Sequence, residues 1–442
     1  MDWPRIRLRN PHDREIARLA IPAFGALIAE PLYILTDTAI VGHLGTAQLG
    51  GLAVASGILL TLYAVFIFLA FGTTAAVSRL LGAGREREAA HQAVQSLWLA
   101  AAIGVAVAAL GYVVSDPLVD LIGAAGSVRT NALVYLRISL LGIPAMLVVL
   151  AGTGYLRGVK DTRTPLVVAL ATAGVNLVIE VVLIYGFDQG IGASALATVV
   201  AQSAGAAVYV SYLLRAARAR GAALAPHPAS LLALAAVGRD LLVRTAALRA
   251  ALIVTTTVAT RIGDVDVAAH QIAFEVWNFL ALGLDAVAIA GQAIVGHALG
   301  AGDGEGARAA GRRMIQWGVV AGVVLGAAVA VSSPALPHLF SGDADVVALA
   351  TFLLLWVAVL QPVNAVAFVL DGVLIGAGDM RYLAWAMAGA AVVFVPAALA
   401  VLATGAGIGW LWAALGLLMA TRASTLLVRF AGDRWVVLGA VR

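Results

Sequence analysis

Six acidic side chains stand where the sequence is otherwise almost free of charge: Glu30, Asp37, Glu180, Glu275, Asp285 and Asp371. Each falls in a run of about 20 mostly apolar residues, the length a helix needs to cross a bilayer. A charged acid at the centre of such a helix costs roughly 2.5–3.5 kcal/mol on insertion scales, so these acids must face a wet cavity, pair, or hold a proton. Glu30 and Asp37 are two helical turns apart and share one face, with Tyr33 and Thr36 near it. Asn176 and Glu180 are adjacent on another helix face, and Thr198 offers a hydroxyl. Carboxylates, an amide and a hydroxyl suit a proton site or a small oxygen-ligated cation. The competing reading is a polar residue satisfied by a neighbouring helix. It is the weaker one for Asp37 and Glu180, and the stronger one for Asn176 or Thr198 taken alone. Pro22 precedes Asp37 on the same run and lacks a backbone N–H, which makes it a hinge candidate.

The elements that carry these residues follow from composition. Of the 442 residues, 62% are hydrophobic and 12% charged, whereas a soluble domain carries roughly 25% charged residues. The deficit runs the whole length, so the solvent for most of this chain is lipid. Apolar runs predict spans near 16–41, 52–77, 93–114, 132–154, 165–186 and 191–214. Six more follow near 241–262, 270–298, 314–333, 347–374, 383–403 and 408–428, with the junctions 186–191 and 403–408 weakly marked. With twelve spans, all 28 Lys and Arg except Arg129, Arg137 and Arg261 sort to the N-terminal side. Cytoplasmic loops carry the basic excess, so both termini are expected in the cytoplasm and the chain in the cell (inner) membrane. The basic N-terminal stretch, including Arg5, Arg7 and Arg9, reads as the flank of an uncleaved first span.

An internal repeat organises the spans. Leu81-Gly82-Ala83-Gly84 recurs 218 residues later as Leu299-Gly300-Ala301-Gly302. Pro144 maps on Pro362, and Leu156, Gly158, Asp161 and Arg163 map on Leu374, Gly376, Asp379 and Arg381 at the same offset. The expected fold is all-α: twelve transmembrane helices in two pseudo-symmetric six-helix bundles, residues 1–214 and 241–442, joined by a cytoplasmic linker over 215–240. Two halves of six spans enter the membrane in the same sense, with the substrate path at their interface. Asp161 and Asp379 are read as caps of the helices that follow them.

The ionisable chemistry does not repeat. At the common offset Asp37, Asn176 and Glu180 become Thr255, Phe394 and Ala398, while Glu275, Asp285 and Asp371 fall on Gly57, Ile67 and Thr153. This assigns ion coupling to the first half. Glu275, Asn278, Asp285, Gln292, Asn364 and Asp371 of the second half are assigned to contacts with a cationic substrate. His270 and His297 sit near span ends and read as hydrogen-bonding groups rather than metal ligands.

Other classes are excluded by what is missing. There is no cysteine, and Lys160, the single lysine, follows Val159, so no phosphate loop exists. His-Glu-x-x-His, Gly-x-Ser-x-Gly and Asp-rich motifs are lacking, which argues against an intramembrane enzyme. The loop SRLLGAGRERE lacks the Asp-Arg pair typical of major-facilitator transporters. A lipid-linked oligosaccharide or lipid flippase on a related scaffold is the alternative. It should have a strongly basic interior, whereas the spans hold acids and almost no bases.

The stretches IPAFGALIAEPLYILTDTAIVGHLG, RLLGAGRE, GYLRGVKDTRTP, AAHQIAFEVWNFLALGLDAVAIAGQAIVGHALGAG and LDGVLIGAGDMR together resemble the multidrug and toxic compound extrusion (MATE) family, particularly its DinF-like branch. The resemblance covers nearly the whole chain. It implies export of amphipathic, often cationic compounds by alternating access, against an inward proton or sodium gradient. It matches Asp37, Asn176, Glu180 and Thr198 to the family's ion-coupling positions and adds Tyr135 beside them. Two departures matter: the span-5 acid, commonly Asp, is Glu180, and the span-10 position linked to sodium coupling holds Asn364. The resemblance therefore favours protons over sodium. The expected partners are a small organic solute, H+ or Na+, and membrane lipids, with no nucleic acid, no cofactor and a monomeric state.

Overall fold

The computed structural model describes residues 11–440, so Arg5, Arg7 and Arg9 lie outside the described residues. Among those described there is no strand. The helices are α1 (Pro11–Gly42), α2 (Thr46–Phe66), α3 (Phe68–Gly82), α4 (Glu86–Val113), α5 (Ser115–Leu121), α6 (Gly126–Leu140), α7 (Ile143–Gly158) and α8 (Arg163–Val181). After a π-helical turn, Val182–Gly186, come α9 (Ile191–Ala219), α10 (Pro228–Ile262), α11 (Asp264–Gly300), α12 (Gly304–Ser332), α13 (Ala344–Gly376), α14 (Met380–Thr404) and α15 (Ile408–Ala431). Eleven spans are long and apolar enough to cross a membrane, and the bent pair α6–α7 makes a twelfth. The helices are longer than the apolar runs because their polar ends continue beyond the lipid-like stretch. Their outer faces carry bare apolar side chains such as Leu110, Val113, Val331 and Val392, as a chain solvated by lipid requires.

Packing divides the chain into two units. One comprises Gly25–Gly238, and the other Arg239 onward together with the chain up to Phe24. Helix α1 therefore contributes to both, and its change of unit falls two residues after Pro22. It runs without a break from Pro11 to Gly42. In the second unit, Asp13 at the start of α1 accepts hydrogen bonds from Arg313 Nε (2.5 Å) and Trp317 Nε1 (2.9 Å) of α12.

The sequence repeat is a repeat of packing. A Cβ at Gly154 would sit 2.5 Å from the Ala70 carbonyl oxygen, and one at Gly372 would sit 2.3 Å from that of Ala288, the same two positions at the same offset. Gly104 lies against Pro144 and Gly322 against Pro362 in the same way. Only a missing side chain allows such approach between helices. The copies differ in continuity. Helices α6 and α7 meet at 50°, whereas α13 crosses the matching position unbroken. Pro144 and Pro362 are common to both, but Gly142 is replaced by Leu360 in the second copy. A glycine beside the proline removes the side-chain packing that otherwise holds a kinked helix together.

The cap expectation holds for one residue of two. The Asp161 carboxylate accepts from the Arg163 and Thr164 N–H groups at 3.0 Å. Asp379 instead takes a hydrogen bond from Arg429 Nε at 2.7 Å and caps nothing with its side chain.

Candidate functional site

In the first unit α1, α6, α8 and α9 bring one polar cluster together. Asp37, Tyr135, Asn176, Glu180 and Ser194 are all buried. The Ser194 hydroxyl donates to Asp37 Oδ1, and Tyr135 Oη donates to Asp37 Oδ2 at 3.3 Å. Thr198 Oγ1 donates to the Ser194 carbonyl (3.1 Å), so the Tyr33 hydroxyl, 2.6 Å away, donates to Thr198. Asn176 Nδ2 donates to both Thr198 Oγ1 (3.2 Å) and Tyr33 Oη (3.4 Å). Glu180 is fully buried and faces Asp37 and Ser194, yet neither of its oxygens makes a hydrogen bond. Among the described residues, no arginine or lysine is a hydrogen-bond partner of this cluster. The π-helical turn starts two residues after Glu180, and such turns in helices often mark functional sites.

Asp37, Tyr135, Asn176, Glu180 and Thr198 thus stand together, as read from the sequence. Ser194 was missed. Its signal was present: it lies four residues before Thr198, on the same helix face. Thr36 points elsewhere, donating to the Leu32 carbonyl at 2.8 Å. Glu30 is two turns away from Asp37 and hydrogen-bonds Tyr63 of α2. Tyr63 also feels Arg157 and Tyr209, and Tyr209 accepts from Thr153 at 3.0 Å. Glu30 therefore belongs to a second polar group in this unit.

The second unit is organised differently. Asp371 of α13 is buried between two arginines: Arg244 Nη2 of α10 lies 2.5 Å from Oδ2, and Arg422 Nη2 of α15 contacts the same oxygen. Asp285 is half-buried and close enough to act electrostatically on both guanidinium groups. These arginines overturn the expectation that the spans hold almost no bases. Both lay inside predicted spans, near one end of each, and sorting by side counted them with the loops. Asn364 and Gln292 are buried, with both side-chain polar atoms of Asn364 and the Gln292 Oε1 unpartnered. Glu275 and Asn278 are exposed, and Glu275 accepts from Gln271 at 2.8 Å. His270 is fully buried rather than interfacial: it stacks on Phe274 (5.5 Å between ring centres) and meets the edge of Trp412, with neither ring nitrogen hydrogen-bonded. Among the described residues no three His, Asp or Glu side chains gather to hold a metal.

A helical chain with duplicated packing, eleven or twelve apolar spans and bare apolar outer faces is a multi-pass membrane protein. The MatE family model matches residues 22–182 and 243–400, once in each copy of the repeat, and the chain belongs to that family. It is 32% identical over 430 residues to "Protein DETOXIFICATION 44, chloroplastic" of Arabidopsis thaliana, covering 92% of this chain and 80% of that protein. It is 28% identical over 419 residues to "DNA damage-inducible protein F" of Escherichia coli strain K12, covering 94% and 91%. A crystal structure described as MATE in the bent conformation superposes with a TM-score of 0.88 at 21% identity, over 96% of this chain and 95% of the other. An outward-facing multidrug resistance MATE family transporter superposes with a TM-score of 0.86 at 21% identity, over 96% of each chain. The two structures bear on the fold alone.

Proposed function

We propose that the chain is a proton-coupled antiporter that exports amphipathic, cationic organic compounds by alternating access. In this reading it is a monomer in the cell (inner) membrane with both termini in the cytoplasm. One observation carries the proposal: Asp37 and Glu180 are two buried carboxyl groups facing one another with no cationic side chain bonded to them. Two such charges cannot stay uncompensated in a low-dielectric interior, so a proton or cation must be shared with them. Tyr33, Tyr135, Asn176, Ser194 and Thr198 then orient the pair and respond to its charge. Protonation of Asp37, together with Glu180, discharges the cluster and lets α1 bend near Pro22, where that helix lacks the hydrogen bond to the Arg18 carbonyl. The bend reshapes the first unit and drives solute outward.

Protons are favoured over sodium because the second unit offers Asn364 in place of an acid. Of the second-unit acids proposed for the cationic end of the solute, Glu275 remains, since Asp371 is engaged by arginines and Asp285 acts on the same guanidinium groups. The test is Asp37→Asn reconstituted in proteoliposomes, with pH and sodium gradients imposed separately. Dye efflux in the wild type should follow the pH gradient and vanish in the variant. Efflux at the wild-type rate in Asp37→Asn would sink the mechanism, and efflux driven by sodium alone would reassign the ion.

A further inference from the structure

The second unit contains a charge cluster that ion coupling does not use. Arg244, Asp371 and Arg422 come from three different helices, and their side chains are 11%, 7% and 3% exposed. Both guanidinium groups converge on a single oxygen, Asp371 Oδ2. Direct contacts therefore set two positive charges against one negative. Arg244 Nε and Arg422 Nη1 are buried and have no hydrogen-bond partner. The Arg422 guanidinium lies over the Phe368 ring at 5.2 Å, which fixes its plane. Two turns before Asp371 on the same face of α13, the Asn364 amide has neither its donor nor its acceptor used.

A buried ion pair adds little net stability over apolar side chains of the same volume, and each unmet buried donor is destabilising. A structural role is therefore a poor account of this cluster. The repeat argues the same way: the equivalent positions in the first unit are Ala26, Thr153 and Ala204, so the scaffold does not require it. A planar arginine fork fits carboxylates and phosphates, and two forks meeting at one point make an anion clamp.

We propose that Arg244 and Arg422 form a binding subsite for the carboxylate of an organic solute, with Asp371 as the resident carboxylate that the solute displaces. Asp285 sets the net charge of the cluster near zero, so an incoming carboxylate enters by exchange with Asp371 rather than by addition. The transported class would then include molecules carrying both a cationic or apolar body and a carboxylate. Only the word "transported" rests on the antiport reading above; binding stands without it.

The experiment is binding of salicylate to the purified full-length chain in nanodiscs, by calorimetry and by the shift of the unfolding midpoint. Ethidium serves as the cationic probe. Asp371→Asn removes the resident competitor and should tighten salicylate binding by about tenfold, while Arg422→Gln should abolish it. Because a single arginine variant leaves an uncompensated carboxylate and can fail to fold, Arg422→Gln/Asp371→Asn is made alongside. That double variant should unfold near the wild-type temperature and bind no salicylate. Equal or weaker salicylate binding in Asp371→Asn, or unchanged binding in the double variant, overturns the proposal. Ethidium efflux in wild-type proteoliposomes is recorded separately, so a failed transport reading is told apart from a failed subsite.

Discussion

The two units share one scaffold and solve the problem of buried charge in opposite ways. At Gly154 and Gly372, and again at Gly104 and Gly322, helices approach through the same missing side chains at the same offset. Yet Asp37 and Glu180 sit in the first unit with hydroxyl and amide neighbours only, whereas Asp371 in the second is clamped by Arg244 and Arg422. A carboxyl group answered only by hydroxyls can exchange a proton without rebuilding its surroundings. One held by two guanidinium groups is locked to its charge and yields only to another anion. Duplication thus supplied the frame, and each copy acquired a different kind of charged site within it.

The comparison breaks first at Asp37. Asp37→Asn should abolish pH-driven efflux, while Thr255→Val at the matching position of the second unit should leave the rate unchanged, since the Thr255 hydroxyl only bonds the Ala251 carbonyl of its own helix. Parallel loss in both variants would mean that both copies carry the coupling ion. Next in size, Arg422→Met removes one partner from a buried cluster and should lower stability by about 3–5 kcal/mol, read by thermal or denaturant unfolding. A drop below 1 kcal/mol would indicate that Asp371 is satisfied by Arg244 alone.

Much of the frame was legible in sequence because it depends on coarse, repeated physics. Span number follows from apolar length, and the duplication follows from glycines and prolines that packing forces to recur. The first cluster was legible in part, since Asn176 and Glu180 are neighbours on one helix face and burial of Asp37 and Glu180 is costly, while the family resemblance joined Asp37 to them. Ser194 escaped because a serine in a membrane helix costs little, and its one mark is the spacing of four residues from Thr198. Arg244 and Arg422 escaped for another reason. Arginines near helix ends usually reach out to the interface, and nothing along one chain says that α10 and α15 turn theirs inward to one carboxylate of α13. The bend between α6 and α7 was hidden in the same way, because Pro144 and Pro362 look alike until Gly142 and Leu360 are compared.

A smaller perturbation sharpens the first site. Ser194→Ala removes the hydroxyl that donates to Asp37 Oδ1, a hydrogen bond to a carboxylate that contributes about 1.5–3 kcal/mol. Efflux should fall but not vanish, and Ser194→Thr should restore most of it. If Ser194→Ala transports normally, Tyr135 alone orients Asp37 and the cluster is smaller than drawn.

The mildest test compares the loops that end α7 and α13. Both turn through a left-handed residue, with Asp161 N–H bonded to the Leu156 carbonyl at 2.8 Å and Asp379 N–H to that of Leu374 at 2.9 Å. The residue that turns is Gly378 at φ 74° in the second unit and Lys160 at φ 62° in the first. A side chain at such an angle crowds its own backbone, whereas glycine adopts it freely. Lys160→Gly should therefore relieve about 1–2 kcal/mol of left-handed strain, less about 0.5–1 kcal/mol for glycine's greater chain freedom and whatever the lysine side chain contributes through its own contact. Gly378→Lys should lower stability by a similar amount. These are measurable as opposite shifts of the unfolding midpoint in one detergent. Shifts of the same sign would mean that the two loops, despite matching bonds, are held by different forces, and that the repeat is one of shape rather than of energetics.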